Sequence, residues 1–277
     1  MSDAARLAAE HLQLGYDGHV VATDLTLSIP DGRITAIVGA NACGKSTFLR
    51  SLARLLKPQA GTVLLDGQSI QSVPTRDVAA KLGILPQSPL APGGITVADL
   101  VARGRYPHQR WFRQHDADDD TAIAAAMAAT NTLELADRLV EELSGGQRQR
   151  VWIAMALAQG TGILLLDEPT TYLDIAHQIE VLDVLVDLNR RDGTTIVMVL
   201  HELNQASRYA DHLVAMCGGQ VLAEGVPGDV LTEDLVEQVF GLRCRIVPDP
   251  VSGSPMVVPM GRHAVHETPA APGGGHV

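Results

Sequence analysis

The chain has 277 residues, 46% of them hydrophobic and only 3% aromatic, and a formal net charge of −11. This composition favours one large or two small globular domains with helices packed on aliphatic strands, rather than a barrel. The acidic balance argues against nucleic-acid binding. No apolar stretch approaches the about 20 residues of a spanning helix, and no signal-type apolar core is found near the start. Three cysteines without metal-like spacing favour free thiols in a reducing cytoplasm.

The first part of the chain alternates short strands with turn signals. The third strand runs directly into Gly39, and apolar residues at helical spacing follow Lys45 until Pro58, where we expect the helix to stop. A strand, a glycine loop and a helix therefore follow one another. The predicted strands lie at residues 12–16, 24–29, 33–38, 61–67 and 83–87.

The second part predicts a helical insertion and then alternating strands and helices. Within residues 88–142 we expect helices at 96–105 and about 117–130, and the acids at 116–120 suit the positive end of a helix dipole. Strands that alternate with helices imply a largely parallel sheet covered on both faces. The later predicted elements are a helix at 146–159, a strand at 163–166, a helix at 175–190, a strand at 194–200, a helix at 202–210 and a hairpin at 212–225.

The chain end is rich in proline and glycine, and its final ten to fifteen residues are expected to be disordered. His263 and His266 lack carboxylate or cysteine partners in the sequence, so we interpret them as an incidental pair rather than a metal site.

Residues 39–47 read GANACGKST, which has the spacing G-x-x-x-x-G-K-S/T between a predicted strand and a helix. Backbone N–H groups of such a loop form an anion nest in line with the helix dipole. The chain has three lysines against eighteen arginines, and the compact ammonium of Lys45 can reach β- and γ-phosphates where a planar guanidinium does not fit. Ser46 is expected to bind Mg²⁺, and Cys43 to favour its thiolate. The predicted nucleotide-binding residues of this loop are Gly39, Asn41, Ala42, Cys43, Gly44, Lys45, Ser46 and Thr47.

The apolar strand ILLL ends in two acids, Asp167 and Glu168. Hydrolysis of a nucleotide needs one carboxylate to hold the metal and a second to orient and deprotonate the attacking water. Open α/β sheets bind ligands at the carboxyl ends of their strands. We therefore expect Asp167 to hold Mg²⁺ and Glu168 to act as the general base.

Residues 143–147 read LSGGQ and precede a predicted helix, which makes a second N-terminal anion site. One nucleotide needs only one such nest. With a single complete phosphate loop in the chain, the second nest is expected to serve a nucleotide bound to another copy. Its predicted binding residues are Ser144, Gly145, Gly146 and Gln147.

The ordered set of motifs resembles the ATP-binding subunits of ABC transporters over about residues 10–250: Walker A, a Q-loop at Gln87, the LSGGQ signature, Walker B, the D-loop TYLD and a switch histidine, His201. The resemblance implies a P-loop NTPase fold with a mostly parallel core sheet, an N-terminal antiparallel β subdomain and a helical subdomain inserted at about 88–160. Residues 251–277 would form a C-terminal extension.

The same resemblance implies a head-to-tail homodimer, with each ATP between one chain's Walker A and the other's signature. Tyr16 would stack on adenine. Gln87 would sense Mg²⁺ and the γ-phosphate and link them to the helical subdomain. His201 would contact the γ-phosphate.

Three longer stretches, RGRYPHQ, DEPTTYLDIAHQIEVLD and HELNQASRYADHL, are similar to the ATPases of importers for iron-siderophore complexes, heme and cobalamin. Ala40 stands where that family usually has proline and Glu202 where aspartate is common, and neither change removes a catalytic group. The resemblance implies two membrane permease subunits docked near the Q-loop and helical insertion, an extracytoplasmic binding protein, and a peripheral position on the cytoplasmic face of the membrane.

The leading interpretation is that the chain is the ATP-hydrolysing subunit of an importer and energises uptake of iron-siderophore complexes across the cytoplasmic membrane. Three alternatives remain. The chain could energise heme or cobalamin import, or be a non-transport ATPase of iron-sulfur assembly. A DNA-repair ATPase would need a long coiled coil, for which residues 88–142 are too short. A regulatory module without turnover would lack a base or a switch residue, whereas Glu168 and His201 are both present.

Overall fold

The computed structural model describes residues 5–16, 18–108 and 117–261. Its strands are β1 (Leu7–Tyr16), β2 (His19–Ile29), β3 (Ile34–Gly39), β4 (Ala60–Leu65), β5 (Gln68–Ser69), β6 (Leu82–Leu85), β7 (Ile163–Asp167), β8 (Thr195–Val199), β9 (His212–Cys217), β10 (Gln220–Gly225), β11 (Cys244–Pro248) and β12 (Pro255–Pro259). Its α-helices are α1 (Lys45–Leu52), α2 (Thr75–Lys81), α3 (Val97–Ala102), α4 (Ala117–Ala129), α5 (Gly145–Ala158), α6 (Ile175–Asp192), α7 (Leu203–Tyr209), α8 (Pro227–Val230) and α9 (Glu233–Phe240).

A six-stranded sheet with the order β10-β9-β3-β8-β7-β6 forms the centre of the molecule, and only β10 runs antiparallel to its neighbour. Every residue of β3, β7 and β8 is buried, as the continuous apolar runs predicted. The mostly parallel sheet is thus confirmed. Because β6, β7, β8 and β3 are parallel neighbours, the segments that follow them emerge at one edge of the sheet.

A smaller antiparallel sheet, in the order β2-β1-β4-β5, covers one face of the central sheet together with α1. Successive side chains of the central strands point to opposite faces of the sheet. Ile37 and Leu165 pack with Phe48 of α1 and with Leu12 of β1, whereas their neighbours in sequence face the helices on the other side. The predicted antiparallel N-terminal subdomain is confirmed.

Helices α3, α4 and α5 form the helical insertion and pack against one another. The alanine-rich α4 lies where its composition predicted it. Near its start, Asp119 accepts a hydrogen bond at 2.7 Å from Nε of Arg105, which also donates from Nη1 to the carbonyl oxygen of Ala158 at 3.0 Å. One acid of the predicted helix-start cluster therefore joins the insertion to the end of α5; Asp116 lies outside the described residues.

Helix α1 is shorter than the apolar pattern indicated. The pattern ran to Leu55 and Leu56, but the helix ends at Leu52. Arg54 adopts a left-handed conformation with φ of 61°, and the N–H groups of Leu55 and Leu56 both donate to the carbonyl oxygen of Arg50. The turn closes the helix and leaves Leu55 62% exposed.

The C-terminal part adds elements that the sequence analysis did not predict, α9 and the β11–β12 hairpin. The hairpin pairs Cys244 with Pro259 and Pro248 with Pro255, so the domain boundary expected near residue 250 falls within it. His263, His266 and the predicted disordered end lie outside the described residues. Among the residues that the structure describes, no helix is long and apolar enough to cross a membrane.

Candidate active site

The phosphate loop follows β3 and depends on backbone conformations that favour glycine. Gly39 and Gly44 have φ of 157° and 105°. A Cβ atom at Gly39 would collide with the carbonyl oxygen of Met216 on the adjacent strand. These positions let the loop turn tightly between β3 and α1 while it stays against β9.

Lys45 is the first residue of α1 and only 5% exposed. Its Nζ donates to the carbonyl oxygens of Gly39 at 2.8 Å and Ala40 at 2.9 Å. The flexible stem folds the ammonium back over the loop and holds it among the groups that a phosphate would approach. A guanidinium is planar and bulkier and does not match this position.

Ser46 and Asp167 bring α1 and β7 together. Ser46 Oγ donates to Asp167 Oδ1 at 2.8 Å, and Asp167 is 1% exposed. Its Oδ2 is buried without a hydrogen-bond partner among the described residues. Burial raises the pKa of Asp167, and the Ser46 hydrogen bond acts in the opposite direction. A hydroxyl beside an unsatisfied buried carboxylate oxygen matches the oxygen ligands that Mg²⁺ prefers, so the residues present fit this ion.

Glu168 and His201 contact each other directly. Glu168 Oε1 lies 2.6 Å from His201 Nε2, and Thr171 Oγ1 donates to Glu168 Oε2 at 3.1 Å. Glu168 has φ of 55°, a conformation uncommon for a residue with a side chain. The sequence analysis proposed both residues for the γ-phosphate but did not predict that they pair.

A cavity of about 770 Å³ brings together all four predicted catalytic residues. It is lined by Val21, Asn41, Ala42, Cys43, Gly44, Lys45, Ser46, Thr47, Gln87, Glu168 and His201. The contribution of Val21 was missed, because a valine within an alternating strand carries no signal of a site. Tyr16 is absent from this lining and lies at the end of β1 with 40% of its surface exposed.

The LSGGQ segment lies outside this cavity. Ser144 is the N-cap of α5: its Oγ accepts from the N–H of Gln147 at 3.2 Å, and its own N–H donates to Gln147 Oε1 at 3.1 Å. Gly145 lines a different cavity of about 410 Å³ together with Gln87 and Tyr172. Within one chain, the LSGGQ segment thus forms the capped N-terminus of α5 and lies outside the cavity of the phosphate loop, and its anion binding stays a prediction.

Comparison with known proteins decides the family. The sequence matches the family described as ABC transporter over residues 22–171. The chain belongs to this family. It is 55% identical to the ferric enterobactin transport ATP-binding protein FepC of Escherichia coli strain K12, over 94% of the chain and 96% of that protein. It is also 55% identical to the probable siderophore transport system ATP-binding protein YusV of Bacillus subtilis strain 168, over 92% and 93%.

More distant relatives and solved structures agree with this ABC ATPase assignment. Cobalamin import ATP-binding protein BtuD of Halobacterium salinarum is 40% identical over 90% of the chain and 62% of that protein. A chain of an inward-facing ABC transporter of proposed metal-chelate type superposes with a TM-score of 0.78 at 29% identity, over 93% and 98%. The dimeric ATP-binding cassette MJ0796, in a post-hydrolysis state with ADP and Pi, gives 0.72 at 26%, over 79% and 98%. The chain is an ABC ATPase.

One expectation for the ABC phosphate loop was wrong. Cys43 was expected to favour its thiolate beside Lys45, but it is only 7% exposed. Burial raises the pKa of the Cys43 thiol, and the positive charge of Lys45 offsets this only in part. Here the free-energy cost of removing the thiolate from water exceeds its favourable electrostatic interaction with the ammonium of Lys45.

Proposed function

We propose that the chain is the ATP-hydrolysing subunit of an importer that takes up iron-siderophore complexes. The observation that carries the ATPase mechanism is the convergence of Lys45, Ser46, Gln87, Glu168 and His201 on one cavity. Each follows a strand of the central sheet. The names of two relatives, at 55% identity over nearly the whole chain, support the substrate class.

The phosphate loop binds the ATP phosphates in this proposal. Its N–H groups and the α1 N-terminus face the phosphate chain, and Lys45 Nζ exchanges the carbonyl oxygens of Gly39 and Ala40 for β- and γ-phosphate oxygens. Asn41, Ala42, Cys43, Gly44 and Thr47 contribute the remaining contacts of the loop.

Ser46, Asp167 and Gln87 would hold Mg²⁺ beside the phosphates. When bound, Mg²⁺ neutralises negative charge on the phosphate oxygens. The buried Oδ2 of Asp167 and the adjacent Ser46 hydroxyl support this assignment. Gln87 follows β6 and lines both the ATP cavity and the cavity that contains Gly145, which suits a residue that links the site to the helical insertion.

Glu168 acts as the general base. A water oxygen attacks the γ-phosphorus, the bond to the bridging oxygen of ADP breaks, and Glu168 accepts the proton of the water. His201 contacts the γ-phosphate and holds Glu168 Oε1 in place. Thr171 donates to the other carboxylate oxygen and fixes its direction.

A second copy of the chain completes the site in this proposal. Ser144, Gly145, Gly146 and Gln147 would contact the ATP bound to the partner, and Tyr16 would stack on its own chain's adenine. The dimeric cassette with ADP and Pi supports this arrangement. We assign residues 1–250 to the ABC domain, with a helical subdomain at about 88–160, and residues 251–277 to an extension whose first part, β12, pairs with β11 of that domain.

The chain is proposed to work at the cytoplasmic face of the membrane with two permease subunits and an extracytoplasmic binding protein. Uptake of radiolabelled iron as a ferric siderophore, and of radiolabelled cobalamin, tests the substrate class in a strain that lacks this chain. We expect lost iron uptake, restored by the parental gene but not by Glu168→Gln. Loss of cobalamin uptake alone would favour the cobalamin alternative. Unchanged uptake with reduced activity of iron-sulfur enzymes would favour the assembly alternative.

A further inference from the structure

A hydrogen bond joins two glutamines that lie outside the ATP cavity, Gln178 on α6 and Gln205 on α7. Nε2 of Gln205 donates to Oε1 of Gln178 at 2.7 Å. Both belong to stretches that carried the resemblance to chelate importers, DEPTTYLDIAHQIEVLD and HELNQASRYADHL. Neither lines the cavity. At these two positions the stretches therefore contact each other outside the ATP cavity.

The amide of Gln178 also holds the loop of residues 169–173, which connects Glu168 to α6. Its Nε2 donates to the carbonyl oxygen of Leu173 at 3.1 Å and to that of Thr170 at 3.4 Å. From the other side, Gln149 of α5 donates to the carbonyl oxygen of Pro169 at 3.0 Å. Side-chain amides thus fix the path of a loop that has few backbone hydrogen bonds of its own.

The backbone around this loop needs such support. Glu168 and Tyr172 have φ of 55° and 66°, in the left-handed region that side chains disfavour. Residues keep such conformations when surrounding contacts determine them. Release of the loop would let Glu168 relax away from its present direction.

On the opposite side, Gln205 fixes the helix that follows His201. Helix α7 begins at Leu203, two residues after the histidine. Asn204 bonds the backbone of Val257 in β12 twice, with Nδ2 donating at 3.2 Å and Oδ1 accepting at 2.7 Å. Helix α7 is therefore held between α6 and the C-terminal hairpin.

We infer that Gln178 and Gln205 are positioning residues for ATP hydrolysis. They join the segment after β7 to the helix after β8, and thereby set the relative placement of Glu168 and His201, which now lie 2.6 Å apart. The inference rests on the proposed role of Glu168. It predicts an effect on turnover with bound ATP and none on ATP binding, because neither glutamine contacts the phosphate loop.

Steady-state ATPase rates of the full chain test this with Gln178→Leu and Gln205→Leu. We expect kcat to fall about tenfold for Gln178→Leu and less for Gln205→Leu, because misplacement of a catalytic group acts on the chemical step. KM for ATP should stay within about twofold. The double variant should lose no more than Gln178→Leu alone, because the two amides act as one unit.

A conservative variant separates the two functions of Gln178. The carboxylate of Gln178→Glu still accepts from Gln205 but has no N–H for Thr170 and Leu173. We expect it to lose kcat as Gln178→Leu does. A kcat equal to the parental value would show that the hydrogen bonds from Gln178 to the loop do not position Glu168.

Asn189→Leu is the matched control on the same helix. Asn189 Nδ2 also donates to two carbonyl oxygens, those of Gly32 at 3.0 Å and Thr194 at 2.8 Å, and none of these three residues lines the ATP cavity. We expect it to lower the melting temperature about as much as Gln178→Leu while kcat is unchanged. Equal kcat losses in the two variants would overturn the inference in favour of general destabilisation.

Glu168→Gln, measured in parallel, distinguishes a failure of the positioning inference from a failure of the proposed function. If it is inactive while Gln178→Leu keeps parental kcat, the positioning inference fails and the proposed function stands. If Glu168→Gln itself hydrolyses ATP at the parental rate, the proposed base is wrong and the inference falls with it.

Discussion

The phosphate-loop region and the LSGGQ region of this ABC ATPase are both glycine-rich turns before helices, but they differ in what surrounds them. The phosphate loop lies among the proposed catalytic groups of its own chain: Ser46 bonds Asp167, and the same cavity contains Glu168 and His201. The LSGGQ segment does not line that cavity: its Ser144 and Gln147 pair as a helix cap, and its Gly145 lines the neighbouring cavity that Gln87 also lines.

From this difference we infer that one chain contains the proposed base and the proposed Mg²⁺ ligands but needs a second chain to complete the site. In our proposal, the α5 N-terminus lies outside the ATP cavity of its own chain and contacts a nucleotide bound to another chain. Symmetric pairing would supply two such contacts at once, since each copy offers one phosphate loop and one signature segment.

The largest expected effect is on the phosphate-loop region and comes from replacing its proposed general base. Glu168→Gln keeps the size and the contact with His201 but removes the basic carboxylate. Loss of a positioned base typically costs about 10² to 10⁴ in rate, while Lys45 and Asp167 still hold Mg-ATP. We expect hydrolysis nearly to stop and an ATP-bound dimer to accumulate in size-exclusion chromatography. The exposed Glu180→Gln serves as the control and should behave as the parental chain. Parental hydrolysis by Glu168→Gln would exclude Glu168 as the base, with His201 the next candidate.

A smaller effect is expected from Lys45→Arg, which keeps the positive charge of the loop. The guanidinium cannot occupy the buried position between the Gly39 and Ala40 carbonyls. Hydrogen bonds to charged groups contribute about 1.5–3 kcal/mol, so ATP affinity should fall by about ten- to hundredfold in a fluorescence competition assay. The exposed Lys57→Arg change is the control. Unchanged affinity in Lys45→Arg would mean that charge alone, and not shape, selects lysine here.

The smallest expected effect concerns the buried carboxylate of Asp167. Burial raises its pKa in the folded chain above the ordinary value of 3.8. Between these two pKa values the folded state binds more protons than the unfolded state, so the Asp167 contribution to stability falls as pH rises. At pH values above both the unfolded-state and the folded-state pKa, this contribution to stability is completely lost. The melting temperature of Asp167→Asn, relative to the parental chain without Mg²⁺, should therefore rise from acidic to neutral pH. A difference that does not vary with pH would contradict an elevated pKa.

Much of the site could be predicted because its signals are local. The nine residues of the phosphate loop, the two acids at the end of β7 and the two glycines in the first turn of α5 each form a compact pattern with a known backbone context. The Glu168–His201 contact could not be predicted in this way, because it depends on β7 and β8 being neighbours in the sheet. The position of Val21 in the cavity lining likewise depends on how the antiparallel sheet packs beside the phosphate loop.

The C-terminal elements were missed for different reasons. Helix α9 is short, although Thr232 at its N-cap and Gly241 in a left-handed C-cap were readable signals. The β11–β12 hairpin has prolines at strand ends, Pro248 and Pro255, which lowered its strand signal. Its contact with Asn204 shows that this region belongs to the same packed unit as α7.

The most direct test of a site shared between two chains is the ATPase rate of two defective variants, Lys45→Ala and Ser144→Arg, measured separately and after mixing. In a dimer of one variant alone, both ATP sites lack the same residue, either Lys45 or Ser144. In a mixed pair, the intact phosphate loop of the Ser144→Arg chain lies opposite the intact LSGGQ segment of the Lys45→Ala chain. We predict negligible turnover by either variant alone and recovered turnover in the mixture. Parental turnover by the Ser144→Arg chain alone, or a mixture as inactive as its components, would contradict the account.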